Sequence, residues 1–161
     1  MDDVALETLW REMKADVSVA FDAAKVVRER FAEGTASGFD SAAHHLCRFF
    51  NVIEQMSLRV AKAFENNIDD ERGWRAQLIR RMTLDITGMR PALFPRSLAA
   101  ALDELRSFRH MFVHAYDLEI DPEKLEFTLR YLDRVTASLD EHALRFIEGV
   151  AAMHGLTLAD D

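Results

Sequence analysis

From Met1 to Asp161 no stretch alternates apolar and polar residues as a half-buried strand requires, whereas apolar side chains recur at three- and four-residue steps throughout. That periodicity restricts the chain to helices packed on helices. The few breakers, six glycines and three prolines, sit mostly at segment ends. A first helix is expected from about Val4 to Ala32, with Leu6, Leu9, Met13, Val17, Phe21, Ala24 and Val27 on its inner stripe. Gly34 ends it and "GTASG" forms a loop. A second helix is expected from about Asp40 to Asn66, carrying Leu46, Phe50, Ile53, Met56, Val60 and Phe64. In the polar turn "NNIDDERG", Asp69 or Asp70 is placed to cap a shorter third helix reaching about Ile86. "TGMRPALFP" is irregular because Pro91 and Pro95 exclude regular helix. Ser97 then caps a fourth helix ending near Asp117, and Asp121 with Pro122 opens a final one running to about His154. The expectation is an all-α, up-and-down bundle of about five helices in a single domain spanning residues 1–161. Its elongated faces and 11 phenylalanines favour burial of one face against a second copy, a homodimer.

Composition narrows the setting. Nearly half the residues are apolar and 30% are charged, which suits a globular chain. No run of about 18 apolar residues occurs, so no membrane span is expected. The acidic start lacks the basic and apolar regions of a secretory signal, which points to the cytoplasm. The one cysteine, Cys47, lies among Leu46, Phe49 and Phe50 and reads as a buried, inert thiol. A net charge of −8 argues against nucleic acid. Its distribution complicates that, because arginines 72, 75, 80, 81, 90, 96, 106 and 109 outnumber the acids between residues 71 and 115. A globally acidic chain can still present one basic surface.

Two histidine pairs invite a metal reading. His44 and His45 are adjacent, point about 100° apart on a helix and cannot easily chelate one ion. His110 and His114 have the spacing of a helical zinc pair, but no Glu follows His110 and no third ligand is evident, so no metal or other cofactor is assigned. Glycine-rich phosphate loops, nucleophile elbows and CxxC pairs are absent from the sequence.

The chemistry concentrates in "LRSFRHMFVHAYD", residues 105 to 117. Arg109, four intervening residues, His114, one residue and Tyr116 spell R-x4-H-x-Y, late in a helix and preceded by Phe108. This closely resembles the HEPN superfamily and, within it, the HepT-like toxins. The resemblance implies metal-independent endoribonuclease activity from a site assembled across a homodimer. It also implies a minimal nucleotidyltransferase antitoxin that attaches AMP to the motif tyrosine, here Tyr116. The residue after the arginine is commonly Asn or Asp in that family and is His110 here. That departure leaves the acid/base role divided between His110 and His114, with His114 favoured by the family pattern.

The residue types suit this chemistry. RNA carries its own nucleophile, the 2′-hydroxyl, once a base removes its proton, and histidine titrates in the range that permits acid and base roles. Arg109 offers a permanently cationic planar fork to the phosphoryl oxygens. Arg106, His110 and Asp117 form a neighbouring polar stripe suited to orienting substrate. Arg109 and His114 lie about 140° apart on an ideal helix, so either the helix unwinds near His114 or the working pairs form between subunits. The alternative to an enzyme is a non-catalytic helical module that docks a nucleotidyltransferase or a nucleotide.

Overall fold

The computed structural model describes residues 1–65, 74–115, 117 and 119–158. Six α-helices occupy them: α1 Asp3–Ala32, α2 Ala36–Phe64, α3 Trp74–Met82, α4 Ala99–His114, α5 Pro122–Thr136 and α6 Leu139–His154. Helices α1 and α2 pair along their length, α2 packs on α4, α4 on α5, and α5 returns to α1, closing an all-α bundle. Helix α6 lies against α1, and α3 touches both α2 and α4.

The α1–α2 hairpin follows from the two apolar stripes. Leu6, Leu9, Met13, Val17 and Val27 are buried opposite Leu46, Phe50, Ile53, Met56 and Val60. Each such side chain contributes about 1.5–3 kcal/mol on burial. Asp2 caps α1 by accepting from the Ala5 amide at 2.8 Å, and Gly34 leaves the helix at φ +66°. Helix α2 begins at Ala36, four residues ahead of the expected Asp40, because Thr35 Oγ1 accepts from the Gly38 amide at 3.0 Å. Gly38 is therefore a packing glycine in the first turn. A Cβ there would stand 2.6 Å from the Arg30 carbonyl oxygen, so only glycine lets α2 start so close to the end of α1.

The expected cap at Asp69 or Asp70 lies outside the described residues. Helix α3 ends at Met82, short of the expected Ile86. The Thr83 amide and hydroxyl both donate to the Arg80 carbonyl, and a tight turn follows in which Ile86 and Arg90 exchange backbone bonds of 2.8 and 3.0 Å. Ser97 does not cap α4. It sits inside a 3₁₀ turn, Arg96–Leu98, that runs directly into α4 without a side-chain cap. The expected final helix is two helices. Thr136 turns its hydroxyl onto the Leu132 carbonyl at 3.0 Å, and Ser138 leaves helical geometry at φ −147°, ψ 25°. Asp121 and Pro122 do open α5 as read from the sequence, with Asp121 Oδ1 accepting from the Glu123 amide at 3.0 Å.

Arg90 is the largest fully buried side chain, with 0% exposure. Its Nη1 donates to the Leu84 and Pro91 carbonyls, and its Nη2 to the Arg81 carbonyl and to Glu65 Oε1 at 3.2 Å. Glu65, just past α2, also pairs with Arg81. A buried cation stripped of its carboxylate is costly, so Glu65→Ala is expected to lower the unfolding free energy by about 3–5 kcal/mol. Adding Arg90→Met should recover part of that loss in denaturant titrations, and no recovery would show that the charge pairing is not what the site requires.

Candidate active site

A groove of about 550 Å³ runs between α2 and α4, lined by Asn51, Glu54 and Gln55 on one wall and Arg106, Arg109, His110, Val113 and His114 on the other. The inner side of α4 fixes its orientation. Leu105 and Phe108 are buried, and Phe108 stacks on the half-buried Phe112 with ring centroids 6.2 Å apart. Turning those residues inward leaves Arg109 at the α2 seam and His110 and His114 exposed. Val113, although apolar, is 66% exposed on the groove wall.

Arg109 is held from three sides. Its Nη1 donates to Asn51 Oδ1 at 2.7 Å and to Glu54 Oε1 at 3.1 Å, and its Nη2 donates to Glu54 Oε2 at 2.9 Å. Its guanidinium carbon lies 4.7 Å from the Phe50 ring centroid, a cation–π contact. All three partners lie on one face of α2. The sequence reading missed them, although one signal was present. Glu54 falls beside Ile53 in the most apolar stretch of α2, and an acid at a buried register needs a cationic partner.

His114 is the last residue of α4, which stays helical up to it and is followed by extended Ala115. Unwinding therefore does not bring Arg109 and His114 to the same groove; the long Arg109 side chain leaning onto α2 does. His114 Nδ1 lies 2.8 Å from the His110 carbonyl oxygen. A carbonyl can only accept, so Nδ1 carries hydrogen, and in the neutral ring Nε2 presents a free lone pair. The His110 and His114 rings stand 4.3 Å apart at 33°. Arg106 is drawn to Asp103, with Nη2–Oδ1 at 2.8 Å. Asp117 is exposed beyond the helix and is not among the groove-lining residues. Tyr116 lies outside the described residues.

Four arginines of the basic block between residues 71 and 115 are engaged by carboxylates among the described residues. Arg81 and Arg90 share Glu65, Arg106 pairs with Asp103 and Arg109 with Glu54, so part of the local charge is neutralised within the molecule. Groups of three or more His, Cys, Asp or Glu side chains able to hold a metal do not occur among the described residues.

These features define an all-α protein whose arginine and histidine share one inter-helix groove. A family model described as "HepT-like protein" matches residues 41–150, which include both walls of that groove. The chain belongs to the HepT-like family of the HEPN superfamily. No curated protein and no solved structure matches it.

Cys47, one turn before Asn51 on α2, is buried, and that burial pushes its thiol up to about 11 against the weaker opposing pull of Arg109. The thiol is thus protonated and unreactive near neutral pH. Because the unfolded chain gives up this proton more readily, Cys47 favours the fold below about pH 9 and that contribution is lost as the pH rises through about 11. Alkylation by iodoacetamide at pH 8 should be at least about 10-fold slower in the native protein than in denaturant. Equal rates would contradict the buried thiol.

Proposed function

We propose that this protein is a metal-independent endoribonuclease and the toxin of a toxin–antitoxin pair, acting as a single helical domain on RNA in the cytoplasm. One observation carries the reading: Arg109 and His114 line the same groove, the arginine with its plane fixed and the histidine with Nδ1 committed to a carbonyl. In this scheme His114 Nε2 accepts the proton of an RNA 2′-hydroxyl, whose oxygen then attacks the adjacent phosphorus. The bond to the 5′-oxygen breaks, and an acid returns a proton to that leaving oxygen. Arg109 stabilises the charge on the non-bridging oxygens.

Each groove offers one motif, and base and acid have to stand on opposite sides of the phosphorus. A homodimer that brings two grooves together supplies the second histidine, and the exposed strip of His110, Val113 and His114 on α4 is the surface through which it would form. His110 is the other candidate for the acid, and Arg106 and Asp117 for orienting substrate. Tyr116 is the proposed site where a nucleotidyltransferase antitoxin attaches AMP, an added negative charge that repels RNA from the motif.

Purified protein should degrade single-stranded RNA in EDTA, and Arg109→Ala and His114→Ala should each reduce the rate at least about 100-fold without altering the oligomeric state. Cleavage that survives both substitutions would place the chemistry elsewhere. Protein that binds a nucleotidyltransferase but never cleaves RNA would support the docking-module alternative.

A further inference from the structure

A guanidinium carries five N–H donors in one plane, arranged as a terminal edge and two lateral sides. In Arg109 the terminal edge is spent on Glu54, through Nη1 to Oε1 at 3.1 Å and Nη2 to Oε2 at 2.9 Å. The outer Nη1 hydrogen goes to Asn51 Oδ1 at 2.7 Å. Among the described residues nothing accepts from Nε or from the remaining Nη2 hydrogen. Those two donors share the other lateral side and form a second fork, matched to two oxygens of one phosphate. The Phe50 ring covers one face of the plane. The Glu54 side chain is itself only 10% exposed, so the clamp is anchored in the bundle and is not a mobile surface pair.

We infer that Glu54 is a positioning residue of the reaction: by taking the terminal edge of Arg109 it presents the Nε/Nη2 side to the groove as the phosphate-binding fork. Asn51 and Phe50 fix the rotation and tilt of the same plane. This rests on the ribonuclease reading and assigns it a part that the R-x4-H-x-Y pattern does not contain. A carboxylate beside a phosphate also repels it, so Glu54 weakens the resting attraction for RNA. It gains its value where geometry counts, when charge builds on the phosphoryl oxygens. Support through orientation and opposition through charge therefore leave opposite marks on rate and on binding.

The test compares the parent protein with Glu54→Ala, Glu54→Asp and Arg109→Ala. Single-turnover cleavage of unmodified single-stranded RNA reports the rate. Binding to the same strand with 2′-O-methyl riboses, in which the nucleophile is blocked, reports affinity, and a thermal melt locates the folded range in which both are measured. Glu54→Ala is expected to slow cleavage about 100-fold while binding the methylated strand as tightly as the parent or more tightly. Glu54→Asp, which keeps the charge on a shorter arm, should recover part of the rate. Undiminished or faster cleavage by Glu54→Ala would overturn the inference, since the clamp would then be a restraint. Parallel loss of cleavage and binding in both Glu54 variants would also overturn it, because that is the mark of a merely structural role. Absence of Arg109-dependent cleavage in the parent protein would remove the ribonuclease reading and this inference together; loss of the Glu54 dependence alone removes only the inference.

Discussion

Arg109 reaches from α4 to lay both terminal nitrogens on the Glu54 carboxylate of α2, with Asn51 and Phe50 completing the grip. Two charges largely withdrawn from water cost desolvation, and such a pair is recovered only when its hydrogen-bonding geometry is good. Here one guanidinium edge is matched to one carboxylate, and the adjacent donor has its own acceptor. An apolar pair in the same seam would hold α2 to α4 about as well. What the ion pair adds is a fixed plane for a cation at the edge of a groove. The groove's shape, the exposure of His110 and His114 beside it and the orientation of α4 are all consistent with that one anchored side chain.

A second acid, one residue past the end of the same helix, has a comparable task. Glu65 holds Arg81 and the fully buried Arg90, tying the turn after α3 back to α2. The acidic and basic parts of the chain thus meet inside the molecule. The locally basic block of a chain whose net charge is −8 is partly neutralised in this way.

Much of the bundle was legible because burial writes itself into apolar spacing. The stripes of α1 and α2, the Asp121–Pro122 start of α5 and the buried Cys47 all follow from local pattern and capping chemistry. The break between α5 and α6 did not, for a physical reason. Val135 and Leu139 are four apart and both buried, so the apolar rhythm continues in step across Ala137 and Ser138, where only side-chain hydrogen bonds divert the backbone. Gly38 was misread because a glycine needed for close approach looks the same in sequence as one needed for a turn. At the site, R-x4-H-x-Y marks α4, while the partners that orient Arg109 lie more than fifty positions earlier, and no local pattern links them. The outward turn of Val113 leaves no trace in the sequence either, because an apolar residue among apolar neighbours carries no mark of facing solvent.

Membership of the HepT-like family and the convergence of Arg109 and His114 on one groove bear on a single chemical claim, that RNA supplies its own nucleophile. The ends of the cleaved strands report on this directly. Attack by the 2′-oxygen expels the 5′-oxygen, so the products should carry a 2′,3′-cyclic phosphate, or the monophosphate from its opening, and a 5′-hydroxyl. Mass spectrometry of the products of a defined oligonucleotide cleaved in EDTA makes the measurement. Fragments ending in a 3′-hydroxyl and a 5′-phosphate would mean that water attacked instead, and would contradict this account.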